Sequence, residues 1–466
     1  MSNSNGKSKF LDAFAILFLV VIVAAVLTWV LPAGEFNRQK DPNTGRMLAV
    51  PGTYHYVDRS PVSPWGVFVC TFKGFMDAAD IIFFVIIVGG VFQVLKATGA
   101  VTTGILTLVR RFQKNRRLLI PIVMTVFSLG GAILGWAEEG LIFIPVMVPL
   151  ALSLGWDSLT GLAMVLAGMN AGFSGAFMNP FTVAVAQGIS GLPIFSGMGL
   201  RIAAWLVLTV ISIAYVYRWA GKVERDPQSS PMYQDDQLRE KEFDVKSIPQ
   251  MTPRHIAVLL CFVATLVAFV YGVLKLGWWF TEMSAIFLIL CVVGGYLGGL
   301  STNRLCEEFL AGCKELLGGA LLIGLGRAVA VTLSAGRVID TVVFGMASIV
   351  QYFPHLLRGT AQYIAQAVIE FFIPSGSGQA AATMPIMAPL ADVTGITRQT
   401  AVLAYQFGDG FTNVFEPTAG YFMAALALAK VPWPKWVSFF WRLLLMWVGV
   451  AIVFTIVAVA INYGPF

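Results

Sequence analysis

Acidic side chains stand at a few points inside otherwise apolar sequence, where their chemistry is that of binding cations or protons. Glu138 and Glu139 are adjacent within one apolar stretch, and Asp409 and Glu416 lie in the motif FGDGFTNVFEP. A charged side chain at the centre of a bilayer costs roughly 2.5–3.5 kcal/mol even on the lenient insertion scale. Acids kept there predict a bound cation, proton or substrate, and helix capping or pairing with Lys or Arg is the structural alternative.

Small and hydrogen-bonding residues form a second pattern, the motif SGSGQ at 375–379. Glycine lets the backbone approach a ligand closely, and hydroxyl and amide groups supply directed hydrogen bonds. A kink or tight turn would also account for this motif. The residues that we expect to bind substrate or ion are Glu138, Glu139, Asn170, Ser174, Asn179, Arg327, Ser375, Gly376, Ser377, Gly378, Gln379, Asp409, Thr412, Asn413 and Glu416.

Arg327 is a basic residue in the middle of the apolar segment LLIGLGRAVAVTL. Its guanidinium could hold a substrate carboxylate through two parallel hydrogen bonds, or it could neutralise one of the four acids, and the sequence favours neither. Glu370 also lies in a largely apolar segment. Helical spacing gives its side chain no clear direction, so it is not assigned to the site.

The elements that must position these residues are repeated. GLIFIPVMVPLALSLGWDSLT at 140–160 and AAATMPIMAPLADVTGITRQT at 380–400 share seven of 21 positions at a shift of 240 residues. Both copies lie in hydrophobic sequence broken by Pro, Gly and Ser. Paired, interrupted hydrophobic segments in two halves of a membrane protein point to the binding site of a transporter.

Composition places the chain in a membrane. Apolar residues make up 57% and charged residues 12%, against roughly 45–50% and 25% in soluble domains. Basic residues near the N-terminus and at 110–117 put the N-terminus in the cytoplasm by the positive-inside rule, which explains the +6 net charge without a nucleic-acid partner. The five cysteines and three histidines have no metal-ligand spacing, so no cofactor is expected beyond a coupling ion.

The predicted fold is an all-α polytopic membrane protein with an inverted repeat, nine spans, two re-entrant hairpins and two broken helices. The predicted units are a first repeat at 1–219, a cytoplasmic linker at 220–252, a connecting span at 253–280 and a second repeat at 281–466. The hairpins are placed at about 118–156 and about 360–395, and the broken spans at 158–192 and 397–430, interrupted at 174–180 and 407–417. We further expect an outside loop at 33–62, surface helices at 100–117 and 302–316, and a span at 317–335.

Four motifs together resemble the YfcC family, part of the C4-dicarboxylate anaerobic carrier group within the ion transporter superfamily. They are GWAEEG at 135–140, MNPFTVAVAQGISGLP at 178–193, SGSGQAAATMPIMAPLAD at 375–392 and QFGDGF at 406–411. The resemblance implies a homodimer whose scaffold holds a mobile unit of two hairpins and two broken helices that moves as an elevator. Sodium-coupled superfamily members carry Ser-Asn-Thr signatures at their hairpin tips. This chain has GWAEE and SGSGQ instead, so those sodium sites are not carried over.

The sequence favours a secondary transporter over other membrane proteins. No GxxxxGK[ST] phosphate loop occurs in it, so neither an ATP-driven pump nor an ATPase subunit is expected. An intramembrane enzyme would need a catalytic dyad, and no histidine lies deep in a predicted span. Four acids against one base favour a cationic zwitterion over a dicarboxylate. We expect elevator transport of a basic amino acid in the bacterial inner membrane, by arginine/ornithine-type exchange or coupled to H+ or Na+, and a cation-coupled C4-dicarboxylate carrier is the alternative.

Overall fold

The structure is a computed structural model, and it describes residues 13–40, 47–50, 52–101, 103–104, 107, 116–239, 251–276, 278 and 280–464. Several expectations lie outside the described residues. These are the basic N-terminus, the start of the first span, most of the surface helix at 100–117 with its basic residues at 110–114, and the middle of the linker at 240–250.

The described chain is a bundle of α-helices. They are α1 (Ala13–Val30), α2 (Pro64–Asp77), α3 (Ala79–Ala97), α4 (Leu119–Leu129), α5 (Ile144–Ser153), α6 (Ser158–Ser174), α7 (Val183–Ile189), α8 (Met198–Arg225), α9 (Tyr233–Leu238), α10 (Pro253–Leu276), α11 (Phe280–Leu297), α12 (Thr302–Ala335), α13 (Ile339–Val350), α14 (Arg358–Glu370), α15 (Gly376–Thr394), α16 (Arg398–Thr412), α17 (Gly420–Ala429) and α18 (Trp433–Ala460). Six helical segments in the described residues are long and apolar enough to cross a membrane: α3, Arg116–Leu134 (which contains α4), α8, α11, α12 and α18.

Helix α12 corrects the expectation of a surface helix at 302–316 followed by a separate span. It runs unbroken for 34 residues, about 51 Å at 1.5 Å per residue, and so exceeds the roughly 30 Å hydrocarbon core. Its sequence contains no proline that would end it. Its glycines allow close packing instead: a Cβ on Gly312 would lie 2.8 Å from the Cα of Gly90 in α3, the small-residue contact typical of membrane helices.

The loop between α1 and α2 contains four short strands that the sequence did not predict. Strands β1 (Gly34–Glu35) and β4 (His55–Tyr56) pair antiparallel, as do β2 (Arg38–Lys40) and β3 (Met47–Ala49). The buried carboxylate of Asp340, in α13, accepts hydrogen bonds from the Phe36 amide at 3.0 Å and from the Arg38 guanidinium at 2.8 Å. These bonds hold the loop on α13.

The centre of the bundle is formed by two helices that carry predicted site residues. All 17 residues of α6 are buried, and so are residues 399–411 of α16. A helix buried on every side has no face for lipid. The surrounding long helices therefore isolate α6 and α16 from the bilayer.

Positions 240 residues apart share local structure at the ends of α5 and α15. Gly155 and Gly395 each follow the helix with positive φ, 84° and 77°. The next helix then begins with a side-chain cap: Asp157 accepts from the Thr160 amide, and Thr397 accepts from the Thr400 amide. The identities found in the sequence therefore coincide with the same helix–turn–helix geometry in both copies.

Candidate functional site

The two helix interruptions lie close to the predicted segments. Helix α6 ends at Ser174 and α7 begins at Val183, which defines the first break as 175–182. Helix α16 continues to Thr412 and α17 begins at Gly420, which defines the second break as 413–419. The second break thus starts later than the predicted 407–417, because residues 407–412 complete the last turns of α16.

The predicted site residues of the two broken segments lie in the last turns of the helices and in the breaks. Asn170 and Ser174 are in the last turns of α6, and Asp409 and Thr412 are in the last turns of α16. Asn179 lies in the first break, and Asn413 and Glu416 in the second.

The ends of α6 and α16 touch. A Cβ on Gly410 would lie 2.7 Å from the Cα of Ser174, so only glycine allows this approach. The Gln406 side chain of α16 donates a 2.7 Å hydrogen bond to the Phe173 carbonyl at the end of α6. The Tyr421 hydroxyl of α17 donates a 2.7 Å bond to the Asn170 side-chain oxygen. These contacts bring the residues of both broken segments together.

The SGSGQ motif joins this centre and forms the second tip, residues 374–379. Helix α15 begins there after Ser375, whose side chain makes no capping bond, and residues 375–378 are half-buried. A Cβ on Gly376 would lie 2.9 Å from Oδ2 of Asp409 and 2.7 Å from the Thr182 side chain of the first break. The second tip thus lies directly against an acid of α16.

The first tip, residues 135–139, contacts the first break. Its backbone turns at Gly135, where φ is +71°, and a Cβ there would lie 3.0 Å from the side-chain nitrogen of Asn179. Glu139 is buried and accepts a 3.0 Å bond from the Ala137 amide, whereas Glu138 is half-buried. Glu138 lies within electrostatic range of Asp409. Three of the four predicted acids therefore lie near the two tips.

The remaining predicted acid, Glu416, is also buried, and it lies within electrostatic range of Asp409. Asp409 is fully buried, and its Oδ1 accepts a 2.9 Å bond from the Asn413 side chain. The Gln379 side chain at the second tip donates bonds of 2.7 and 2.9 Å to the backbone and side-chain oxygens of Gln366. These bonds fix the orientation of the polar groups before any ligand arrives.

Buried polar atoms without a hydrogen-bond partner are concentrated at this centre. Among the described residues, 15 buried side-chain polar atoms have no hydrogen-bond partner, and ten of them belong to residues of the two tips, the two breaks and their flanking helix turns. Six are acceptor oxygens: both of Glu370 and one each of Gln379, Gln406, Asp409 and Glu416. The other four are the hydroxyls of Ser174, Thr182 and Thr418 and the amide nitrogen of Asn179.

Arg327 is placed beside this centre with a partner of its own. Its guanidinium pairs with Asp77 at the end of α2, and both side chains are partly exposed. The neighbouring Gly326 packs against the second break, since a Cβ there would lie 2.9 Å from the Pro417 carbonyl oxygen. Asp77 is not one of the four predicted acids, so the structure gives Arg327 a neutralising partner that the sequence did not identify.

Glu370, Gln406 and Tyr421 belong to this centre and were missed by sequence reasoning. Glu370 ends α14, is fully buried, and lies within electrostatic range of Asp409 and Glu416. The signal that could have found it is the one used for the other acids, a carboxylate in an apolar segment. Gln406 and Tyr421 carry no such signal, because polar groups of this kind are common in helix contacts.

A cavity of about 1230 Å3 lies elsewhere, between α3 and α12 on one side and α5 and α17 on the other. The linker residues Asp235, Asp236 and Arg239 line its edge, together with Lys314 and Glu315. None of the predicted site residues lines it. The cavity therefore does not mark the polar centre.

No group of three or more His, Cys, Asp or Glu side chains in the described part of the chain is arranged to hold a metal ion. The polar centre offers hydrogen-bonding and charged groups. Its carboxylate and carbonyl oxygens match ammonium and guanidinium donors.

Comparisons with known proteins agree on a family. The model of the C4-dicarboxylate anaerobic carrier family, DcuC, matches residues 10–460. The "Putative basic amino acid antiporter YfcC" of Escherichia coli (strain K12) is 34% identical over 469 residues, which cover 92% of each chain. An "Uncharacterized protein" of Haemophilus influenzae is 29% identical over 475 residues, covering 92% of this chain and 93% of that protein.

Two solved structures align with the fold at a TM-score of 0.41. The YdaH transporter of Alcanivorax borkumensis is 15% identical, with 97% of this chain and 100% of that chain covered. MtrF of Neisseria gonorrhoeae, from a class of antimetabolite efflux pumps, is 16% identical, with 97% and 95% covered. The family match over nearly the whole chain and the apolar helices give one conclusion: this integral, multi-pass membrane protein belongs to the C4-dicarboxylate anaerobic carrier family of transporters.

Proposed function

We propose that the protein is a secondary active transporter of a basic amino acid. The observation that carries this proposal is the set of buried carboxyl and amide oxygens that have no donor at the centre where the tips and breaks meet. A buried acceptor without a donor costs about 1–3 kcal/mol. A guanidinium offers five donors in a planar fork and an ammonium offers three, so the side chain of arginine or ornithine would satisfy several of these oxygens at once.

The carboxylate of the same substrate finds its partner at the second tip. The N-terminal amides of α15 lie there, and the side chain of the N-cap residue Ser375 does not occupy them. A helix N-terminus combines unpaired N–H groups with the positive end of the helix dipole and so binds anions. Gly376 and Gly378 carry no side chain that would cover this end. Arg327 is bound to Asp77, so the helix N-terminus is the preferred carboxylate site.

The charge balance opposes the alternative substrate, a C4-dicarboxylate, for which the family is named. Glu138, Glu139, Asp409 and Glu416 would all repel a dianion unless several cations or protons entered with it. The basic amino-acid description of the similar Escherichia coli protein favours the same choice. A dicarboxylate carrier coupled to cations remains the second candidate, because the family model covers the chain.

The architecture that we propose has nine spans, with the N-terminus in the cytoplasm of the bacterial inner membrane. Its two repeats, at 1–219 and 281–466, are inverted and joined by the linker 220–252 and the span 253–280. The hairpins at about 118–156 and about 360–395 enter from opposite sides.

Contacts of the linker support the inversion. Asp236 bonds the Ser158 amide at the start of α6, and Arg239 bonds the Ala429 carbonyl at the end of α17. One broken segment therefore begins at the linker and the other ends there, as opposite directions require.

We further propose that the protein is a homodimer that works as an elevator, with α1 and α11 in the static scaffold and the hairpins and broken helices in the mobile unit. The cavity between α3 and α12 on one side and α5 and α17 on the other supports this division. In this proposal α3 and α12 belong to the scaffold and α5 and α17 to the mobile unit, so the cavity lies between the two parts. A monomer in native-like lipid that still transports would remove the dimer requirement.

The test is solute uptake by the purified protein in liposomes without ATP, comparing labelled arginine with labelled succinate. The double variant Glu138→Gln and Glu139→Gln should lose arginine uptake by about 30-fold or more, since losing a buried charge partner costs about 2 kcal/mol or more. Glu307→Gln is the matched control, because Glu307 is exposed on α12. Unchanged arginine uptake by the double variant, or a wild type that prefers succinate, would support the dicarboxylate alternative instead.

A further inference from the structure

We propose that Glu370 holds the coupling proton of this transporter and releases it when the cationic substrate binds, which makes the transport cycle an exchange of one proton for one basic amino acid. This inference rests on the proposed function, because it requires a substrate with a cationic side chain near Asp409 and Glu416.

The position of Glu370 follows from the packing of α14 on α16. Near the start of α14, a Cβ on Gly359 would lie 3.0 Å from the methyl carbon of Thr400 in α16. Near the other end, Gly408 of α16 lies beside Gln366 of α14, and a Cβ on Gly408 would lie 2.8 Å from the amide nitrogen of Ala367. The two helices therefore run in parallel. Glu370, one turn after Gln366, reaches the level of the last turn of α16, where Asp409 lies.

The surroundings of Glu370 isolate its carboxyl group. The side chain is fully buried, and neither oxygen has a hydrogen-bond donor among the described residues. An ionised carboxylate without water or a donor is far costlier than a neutral acid. Burial without a protein donor therefore favours the protonated form of Glu370.

A second polar group without a partner lies on the same side of α14. The Gln379 side chain of the second tip bonds to Gln366, one turn before Glu370, but its own carbonyl oxygen has no donor. This amide is fully buried. Oxygens without a donor therefore come from both α14 and the second tip, and those of Glu370 are among them.

The charged and titratable groups that face Glu370 come from three places. Asp409 of α16 and Glu416 of the second break act on it electrostatically, as does the Tyr421 hydroxyl, which is bonded to Asn170. The charged side chains on the other helices packed against α14 contact partners other than Glu370. Asp340 of α13 bonds Arg38, Asp392 of α15 bonds Arg398, and Arg442 of α18 lies over the Trp441 ring.

Substrate and proton are thereby linked. Where Asp409 or Glu416 is ionised, its negative charge favours the neutral form of Glu370, because like charges disfavour ionisation. A guanidinium or ammonium bound to those two acids reverses the local charge and favours the ionised form. The O–H bond of Glu370 then breaks, its electron pair stays on the carboxylate, and the proton leaves to water on the open side.

A proton is the coupling ion that the carboxyl group of Glu370 can hold by itself. A single buried carboxyl group needs only its own proton. One proton released for each monovalent substrate also leaves the net charge moved across the membrane at zero.

The experiment uses the full-length protein in liposomes, in two modes. In the first, labelled arginine exchanges against arginine at equal pH. In the second, an acidic lumen drives uptake, and a pH difference of about one unit should support up to about tenfold accumulation, since 1.4 kcal/mol corresponds to a factor of ten. Wild type should perform both modes, the second without dependence on membrane potential or on sodium.

Glu370→Gln should lose both the accumulation driven by the acidic lumen and the release of a proton on arginine binding, whereas Glu370→Asp should retain the accumulation and the exposed control Glu307→Gln should keep both modes. Wild-type protein in weakly buffered detergent should also release about one proton per arginine bound, measured with a pH indicator dye. This second measurement needs no variant, so it decides the matter if Glu370→Gln does not fold.

The failures are distinguishable. The proton assignment is overturned, and the proposed function stands, if the wild type exchanges arginine and shows any one of four results. These are uptake that does not respond to the pH gradient, accumulation with an acidic exterior, a requirement for sodium, or no release of a proton. The proton assignment is also overturned by a folded Glu370→Gln that still accumulates arginine in response to the acidic lumen or still releases a proton when arginine binds. A wild type that moves arginine in neither mode overturns both.

Discussion

At the scale of single residues, Gly376 decides how closely the second tip approaches the acids. Its carbonyl accepts a 2.6 Å bond from the Tyr405 hydroxyl of α16, which fixes the tip on the helix that carries Asp409. A side chain at this position would meet Asp409 and the first break together. The residue therefore ties one tip, one break and one acid into a single geometry.

Gly376→Ala should slow arginine uptake strongly while the protein remains folded. The added methyl group overpacks the centre, which costs about 1–3 kcal/mol, and it displaces the tip from Asp409. Uptake by liposomes and thermal stability in detergent are the two measurements. Gly345→Ala in α13 is the control, because nothing lies within 4 Å of a Cβ there. Wild-type uptake by Gly376→Ala would show that the tip does not need this close approach.

Residues whose signal is local could be predicted as site candidates from the sequence, whereas those whose position depends on distant contacts could not. Glu138, Glu139, Asp409 and Glu416 stand out because carboxylates are costly in apolar sequence. Glu370 has the same cost, but its direction depends on the packing of α14 against α16. The partner of Arg327, Asp77, is 250 residues away along the chain, and only the fold brings the two together.

At the scale of elements, Asp157 joins the start of α6 to the linker. Its Oδ1 accepts from the Thr160 amide at 2.8 Å, and its Oδ2 accepts from the Ser230 hydroxyl at 2.6 Å and from the Trp219 ring at 3.1 Å. The equivalent residue of the second copy, Thr397, accepts from the Thr400 amide, and its hydroxyl donates to the Tyr463 carbonyl after α18. Asp157 thus makes two bonds beyond its own helix, and Thr397 makes one.

Asp157→Ala should lower thermal stability more than Thr397→Ala. Loss of a helix cap costs about 0.5–2 kcal/mol, and the former change also leaves Ser230 and Trp219 without an acceptor, at about 1–3 kcal/mol for each buried group. Melting followed by size-exclusion chromatography would compare both variants with Asp226→Ala, which removes an exposed acid near the end of α8. Equal losses at 157 and 397 would contradict the linker's part in this contact.

Elements with a strong local signal were predictable, and those set by packing were not. The interruptions after α6 and α16 follow from Gly, Asn and Pro in apolar sequence. The prediction of two separate helices in place of α12 was wrong because the polar first half of α12 has the composition of a surface helix. No residue in it interrupts the backbone hydrogen bonds of the helix. The strands of the outer loop were missed because they are two or three residues long and depend on Asp340 for their position.

At the scale of the whole molecule, the linker helix α9 connects both proposed repeats. Lys435, at the start of α18, pairs with Asp235, and Asp236 and Arg239 reach the start of α6 and the end of α17. These contacts place the start of one broken segment and the end of the other on one side of the protein. The 240-residue repeat predicts the same opposite directions from the sequence.

The last prediction tests this inversion by labelling single cysteines with a membrane-impermeant maleimide, in a background without the five native cysteines. Ser377→Cys in the second tip should react from the outside, and Glu138→Cys in the first tip from the cytoplasmic side, because hairpins of inverted repeats enter from opposite faces. Tyr56→Cys in the outer loop, 70% exposed, marks the outside. A protein that keeps only its exposed Cys306 marks the inside, since α12 begins on the cytoplasmic side of the proposed topology. If both tips reacted from one face in every condition, the repeats would be parallel and the elevator built on their inversion would have to be abandoned.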